Sequence, residues 1–301
     1  MAAQVPTYEC TLSPELQEKA RLELNESPET RDAGLKTLFD MITSRDDIRC
    51  PIDAVFLLCF LRARKFNIKR TFKLLERWCK MRSELVEIFG NYKPSSVMGL
   101  IESGVFVILP SADPEGRPVA IDRPGKWDVT KYTAWDFVKV EMMMCDLQLW
   151  NEETQINGFV DIFDMEGFGL HHMTQFGPRF VIKTTPLMNE DTLPLRIKGI
   201  HVVKESGLFD GLYKLFKPFL KDKIKKRLRV HGKDITNLHS VLPTSILPPE
   251  YGGSYSAGID DIVRDWAQQL GDKEEFFISM ERYGLKKTKK NKKGAAGGAC
   301  S

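Results

Sequence analysis

No apolar run among the 301 residues approaches the roughly 20 needed to span a bilayer, so a membrane-spanning helix is not expected. The opening MAAQVPTYEC lacks a basic segment followed by an apolar one, which argues against secretion. Position 2 is Ala, not the Gly that myristoylation needs, and Cys300, second from the end, does not fit a prenylation box. Cysteine is sparse. Cys10, Cys50, Cys59, Cys79, Cys145 and Cys300 are scattered, none in a CxxC pair, as expected of free thiols in a reducing compartment. GxSxG, HExxH, GxGxxG and the phosphate-loop pattern are all missing, and no nucleophile–base pair stands out. The expectation is a cytoplasmic non-enzyme without a catalytic cofactor. It would meet endosomal or other intracellular membranes only peripherally.

What is present is segregated charge. Between residues 193 and 232 there are eleven Lys or Arg against three Asp or Glu, although the whole chain is only +3. That stretch opens with the β-branched run RIKGIHVV, a strand pattern. Leu208, Leu212, Leu215, Phe216 and Phe219 then recur at helical spacing and leave one side almost wholly apolar. Pro218 is read as the start of a further helix. In that helix Leu220, Ile224 and Leu228 mark one face, and Lys221, Lys223, Lys225, Lys226, Arg227 and Arg229 fill the others. An apolar helix beside a basic one predicts a surface for something greasy and anionic together, as a membrane leaflet is.

Taken in order, the chain begins all-helical. Ser13-Pro14-Glu15 and Ser27-Pro28-Glu29 combine a hydroxyl cap, a first-turn proline and an acid, predicting helices over 13–24 and 28–44. An apolar helix follows from Ala54, and Asn67 caps another that buries Phe72, Leu75 and Cys79. Beyond Gly104 strands alternate with helices: strands at 105–109, 118–122, 156–165 and from 195, helices at 133–150, 173–189 and 259–283. This order predicts an α/β fold, a mixed, largely parallel sheet with helices packed on it, preceded by a small helical domain. The boundaries read as 1–93, 94–284 and a lysine-rich tail, 285–301, expected to be disordered.

Several motifs in this order resemble the CRAL-TRIO lipid-binding proteins. Phe60-Leu61-Arg62-Ala63-Arg64-Lys65-Phe66 is similar to their N-terminal helical module. Asn157-Gly158 through Asp164-Met165-Glu166-Gly167, Lys217-Pro218-Phe219-Leu220, His231-Gly232 and Leu247-Pro248-Pro249-Glu250-Tyr251-Gly252-Gly253 resemble the lipid-binding module itself. The match runs over about 10–285 and looks most like the tocopherol-transfer and retinaldehyde-binding branch. The resemblance implies a closed cavity holding one hydrophobic molecule, a retinoid or tocopherol-like lipid, with no other cofactor. It implies cavity positions at Val138, Glu141, Cys145, Phe159, Phe163, Leu187, Leu195 and Ile197. Glu141 and Cys145 stand where tocopherol-transfer relatives carry small hydroxyl residues. It implies a gate helix at about 206–217 carrying Leu208, Phe209, Leu212, Leu215 and Phe216. It also implies that Arg196, Lys198, Lys223 and Arg227 bind a phosphatidylinositol bisphosphate headgroup on an anionic membrane.

The residues support this independently, because Lys223 and Arg227 share a helix face and Arg196 and Lys198 alternate onto one strand face. If strand and helix meet, four cations converge. A solvated basic face with no ligand is the competing reading. A metal site at Asp161, Asp164 and Glu166 is disfavoured because strand alternation separates them. His171-His172, adjacent, read as core or capping residues. Asp161 and Glu141 either meet a ligand hydroxyl or, as expected here, a nearby Arg or backbone group. The lysine tail lacks aromatics for base stacking, so no nucleic-acid partner is expected. A monomer is expected. The alternatives kept are a phosphoinositide-binding trafficking adaptor and a lipid-modifying enzyme.

Overall fold

The computed structural model describes residues 4–205 and 207–286. The tail from 287, with Cys300, and Ser206, the expected start of the gate, lie outside the described residues.

Helices α1 (Pro14–Leu24) and α2 (Pro28–Thr43) start where the sequence placed them. Ser13 accepts from the Leu16 N–H at 3.3 Å, and Ser27 accepts from Thr30 N–H at 3.2 Å while Thr30 bonds back. The two-residue strand β1 (Ile48–Arg49) leads to α3 (Ala54–Ala63), capped by Asp53, and α4 (Ile68–Glu84), capped by Asn67. Phe56 through Arg62 of α3 are all buried, so α3 is the centre of the helical layer. Arg62 is tolerated there because Glu26, Glu152 and Gln155 each bond its guanidinium at 2.6–2.8 Å. Short helices α5 (Val86–Phe89) and α6 (Met98–Glu102) lead into the sheet.

The sheet has five strands: β2 (Phe106–Ile108), β3 (Val119–Asp122), β4 (Phe159–Asp164), β5 (Ile197–Val203) and β6 (Leu228–Val230). They lie in sequence order, with β2 antiparallel to β3 and every later pair parallel. This is the mixed, largely parallel sheet expected. Its crossovers are α7 (Ala134–Gln148) with α8 (Glu152–Asn157), then α9 (Leu170–Met173) with α10 (Pro178–Met188), then α11 (Leu208–Phe216) with α12 (Asp222–Arg227). Helices α13 (Ile259–Gly271) and α14 (Glu274–Met280) follow, and β7 (Gly284–Leu285) pairs back with β1.

Four expected elements change. The strand expected from 156 begins at Phe159, because Asn151 caps α8 and Gly158, at φ 80°, ends it. The helix expected over 173–189 starts only at Pro178, which opens α10 at its first position, and the short α9 ends at Met173 before it. The helix expected over 259–283 breaks at Asp272 and Lys273. Pro218 starts no helix: α11 ends at Phe216 in a tight turn, with Phe219 and Leu220 N–H groups donating to the Phe216 carbonyl, and α12 begins at Asp222.

Register decides what faces inward. Ala120 lies opposite Asp161, and Asp122 opposite Phe163. On the other side of β4, Ile200 pairs with Asp161 and Val202 with Phe163. Alternation therefore sends Asp122, Phe159, Asp161 and Phe163 to one face, toward α7, α10 and α11.

Candidate functional site: a lidded hollow beside a basic groove

On that face the chain encloses a hollow in two lobes. The outer lobe, about 140 Å³, is bounded by Val138, Phe163, Phe176, Phe180 and Met188 and by the inner side of α11. The inner lobe, about 50 Å³, is lined by Cys145, Phe159, Asp161, Leu195 and Ile197. Glu141, Phe163, Leu187, Met188 and Ile200 border both, so the two lobes lie side by side with only these side chains between them. The structure brings all eight expected cavity positions to this hollow. An apolar hollow of about 150 Å³ holds benzene. A long lipid therefore needs the walls to move.

Helix α11 covers the outer lobe, with one correction to the expected face. Phe209, Leu212 and Phe216 line the outer lobe, joined by Tyr213. Leu208 instead packs beside the hollow against the cluster of Met165, Phe168, Val202 and Phe209, and Leu215 points outward, 40% exposed. Nine residues give a helix only two and a half turns, so a stripe of five apolar residues wraps past the buried arc. The outward side presents Leu215 with Phe219, 47% exposed, next to Lys214 and Lys217. Asn189 at the end of α10 latches the lid's exit: its amide donates to the Phe219 carbonyl at 2.8 Å and its oxygen accepts from Lys221 N–H at 2.9 Å.

The four expected cations separate into two pairs, each already holding a carboxylate. Arg196 and Lys198 approach Glu23 of α1 at 2.9 and 3.6 Å, and Arg196 also donates to the Ile156 carbonyl. Lys223 and Arg227 both bond Glu190, Arg227 at 2.9 Å, and Arg227 donates to the Ile197 carbonyl. Glu190 also accepts from Ile197 N–H at 3.0 Å and sits at φ 56°, a left-handed conformation costly for a side chain other than Gly. The two pairs are neighbours, since Arg227 as well as Arg196 acts on the Lys198 charge, but each pair is engaged by its own carboxylate. Burial lowers the Lys198 and Lys223 pKa values, with neighbouring Arg196 adding to the effect on Lys198 and Glu190 opposing it on Lys223.

A richer basic surface lies where α3 meets α4. A groove of about 610 Å³ is walled by Arg64, Lys65, Arg70, Lys73 and Arg77 on one side and Lys221 and Lys223 on the other, with Glu190 and Asp191 between. Arg77 and Lys221 pair with Asp191, and Arg64 donates to the Glu190 carbonyl at 2.6 Å. Lys65, Arg70 and Lys73 are exposed, and no acid pairs with them among the described residues. Sequence reasoning missed this groove. The doublets RAR and KR were visible, but nothing in the sequence says that the α3–α4 corner faces α12.

The remaining candidates are structural. His172 accepts the Gly169 N–H on Nδ1 and meets the Trp127 carbonyl through Nε2, both at 2.9 Å, a capping role. Asp164 accepts from Tyr251 at 2.7 Å and Lys204 at 3.3 Å. Among the described residues no group of three or more His, Cys, Asp or Glu is arranged to hold a metal ion. Likewise no described helix is long and apolar enough to cross a membrane.

A lidded apolar hollow in a mixed sheet defines a lipid-binding α/β protein. The CRAL/TRIO domain model matches residues 102–253, and the chain belongs to that family of lipid-binding and transfer proteins. It is 38% identical over 278 residues to the human alpha-tocopherol transfer protein-like protein, covering 88% of this chain and 81% of that one. It is 33% identical over 269 residues to human clavesin-2, covering 87% and 80%. The crystal structure of Sfh5 aligns over 89% of this chain and 99% of its own, at 13% identity and a TM-score of 0.49.

Proposed function

We propose that the protein is an intracellular carrier that encloses one hydrophobic molecule, a retinoid or tocopherol-like lipid, and exchanges it at phosphoinositide-containing membranes. The observation that carries this reading is the hollow closed by α11, whose outer side exposes Leu215, with Phe219 exposed in the turn that leads into Lys221 and Lys223 of the basic groove. Opening the lid exchanges contact with cargo for contact with lipid tails, at roughly 25 cal/mol per Å² of apolar surface kept from water. A headgroup held in the groove keeps the protein where opening is stabilised. The free cations Lys65, Arg70 and Lys73, with Lys223 across from them, are the residues assigned to the headgroup. Arg196, Lys198 and Arg227 serve it indirectly, by holding Glu23 and Glu190.

The test is vesicle co-sedimentation with and without phosphatidylinositol bisphosphate. Lys65→Glu with Lys73→Glu should weaken binding to the acidic vesicles about tenfold or more and leave cargo uptake in solution unchanged. Unchanged vesicle binding refutes the headgroup assignment. Lys223→Glu with Arg227→Glu is a poorer choice, because it sets new acids against Glu190. The small volume of the hollow favours one rival, a phosphoinositide-binding trafficking adaptor. Failure of the purified protein to take up any retinoid or tocopherol would support that rival.

A further inference from the structure

Three carboxyl groups come close together on this face: Glu141 on α7 borders both lobes, Asp161 on β4 lines the inner lobe, and Asp122 on β3 is buried beside Asp161. Asp122 is fully buried and Asp161 is 8% exposed. Both Asp122 oxygens and Asp161 Oδ1 are buried with no N–H or O–H donor among the described residues. The two aspartates are within hydrogen-bonding reach of each other, so one shared proton can satisfy at most one oxygen on each. Glu141 borders both lobes, and its residual exposure is to the hollow. No salt bridge of the described residues includes any of the three. Of the Arg or backbone group expected for them, no arginine pairs with the three, and the Ile162 N–H acts on Asp161.

Removing a polar group from water without a partner is costly, and three carboxyls in an otherwise phenylalanine- and leucine-lined space compound that cost. An incoming donor relieves it. We propose that this cluster recognises the polar end of the cargo, and that the cargo carries a hydroxyl or amine donor rather than a carboxylate or an aldehyde. The inference rests on the carrier reading of the same hollow. Burial raises Asp161, but the Asp122 carboxyl and the Ile162 N–H draw it back down, which makes it the most readily ionised of the three and the acceptor for an incoming donor. Glu141, raised to about 8 by burial and by Asp161, keeps its proton and can donate back to a ligand oxygen. A lipid carboxylate would bring a second negative charge against Asp161. An aldehyde offers an acceptor but leaves Asp161 Oδ1 without a donor, the arrangement that binding sites discriminate against most strongly.

The experiment uses the delipidated full-length protein and two matched series, read by tryptophan quenching at pH 7. One is oleyl alcohol, oleylamine, octadecenal and oleic acid; the other is retinol, retinaldehyde and retinoic acid. In any skeleton that enters, the alcohol or amine should bind about tenfold or more tighter than the acid or aldehyde, the stronger of the two naming the donor. Asp161→Asn should shrink that preference to within about threefold. Equal affinity across the heads, a preference for the acid, or full discrimination by the Asn variant overturns the inference and leaves the carrier reading standing. Uptake of no member of either series removes both. The wild-type series is decisive even if the variant does not fold.

Discussion

The Asn189 side-chain amide donates to the Phe219 backbone carbonyl at 2.8 Å, tying the end of α10 to the turn that follows the lid. The same side chain accepts the Lys221 N–H, so one buried residue holds the junction between the lid and the basic helix. Asn189→Ala should therefore loosen the lid. The expected outcome is cargo exchange to acceptor vesicles several times faster, at a cost of about 1–3 kcal/mol in urea unfolding for the orphaned backbone groups. Fluorescent-ligand transfer kinetics check it, and an unchanged rate contradicts the latch.

The helical layer is pinned by a second buried pair. Arg82 reaches Asp146 at 2.8 Å, Tyr92 donates to the same carboxylate at 2.9 Å, and the guanidinium lies against the Trp78, Phe89 and Tyr92 rings. Asp146→Ala strands a buried cation and should cost about 3–5 kcal/mol. Chemical denaturation measures it, and a loss below about 1 kcal/mol would show that the pair is not structural.

Stability should fall toward both ends of the pH range. Glu141 has a folded pKa of about 8, raised above its ordinary 4.5, so the stability linked to its proton is full below pH 4.5 and is lost as pH rises through 8. His201 has a folded pKa of about 4, lowered from 6.5 by burial and by neighbouring His231, so its contribution is present above pH 6.5 and is lost as pH falls through 4. Melting temperatures of Glu141→Gln against the wild type should diverge in favour of the variant between pH 5 and pH 8.5. A constant difference across that range contradicts a buried, protonated Glu141.

Much of this was legible beforehand because it is local. The caps at Ser13, Ser27 and Asn67 are short-range hydrogen bonds written in neighbouring residues, and all three form. The alternation of Phe159, Asp161 and Phe163 onto one face depends only on the strand period. What was not legible depends on register and on distant juxtaposition. Nothing local announces that Ala120 pairs with Asp161, which is what sets Asp122 on the same sheet face beside it. The turn holding Arg64 and Lys65 faces Lys221 and Lys223, more than 150 residues later, and only the folded chain reveals the groove. The start of the basic helix was misplaced for the same reason, at Pro218 instead of Asp222, because the turn between is held by Asn189 from a separate element.

The central claim is that the hollow behind α11 holds a lipid, and native mass spectrometry of the full-length protein, followed by lipid extraction, tests it most directly. The account predicts one apolar molecule per chain, released when acidic vesicles are added. A purified chain that carries no lipid and takes up none of the offered retinoids, tocopherols or long-chain alcohols would contradict it.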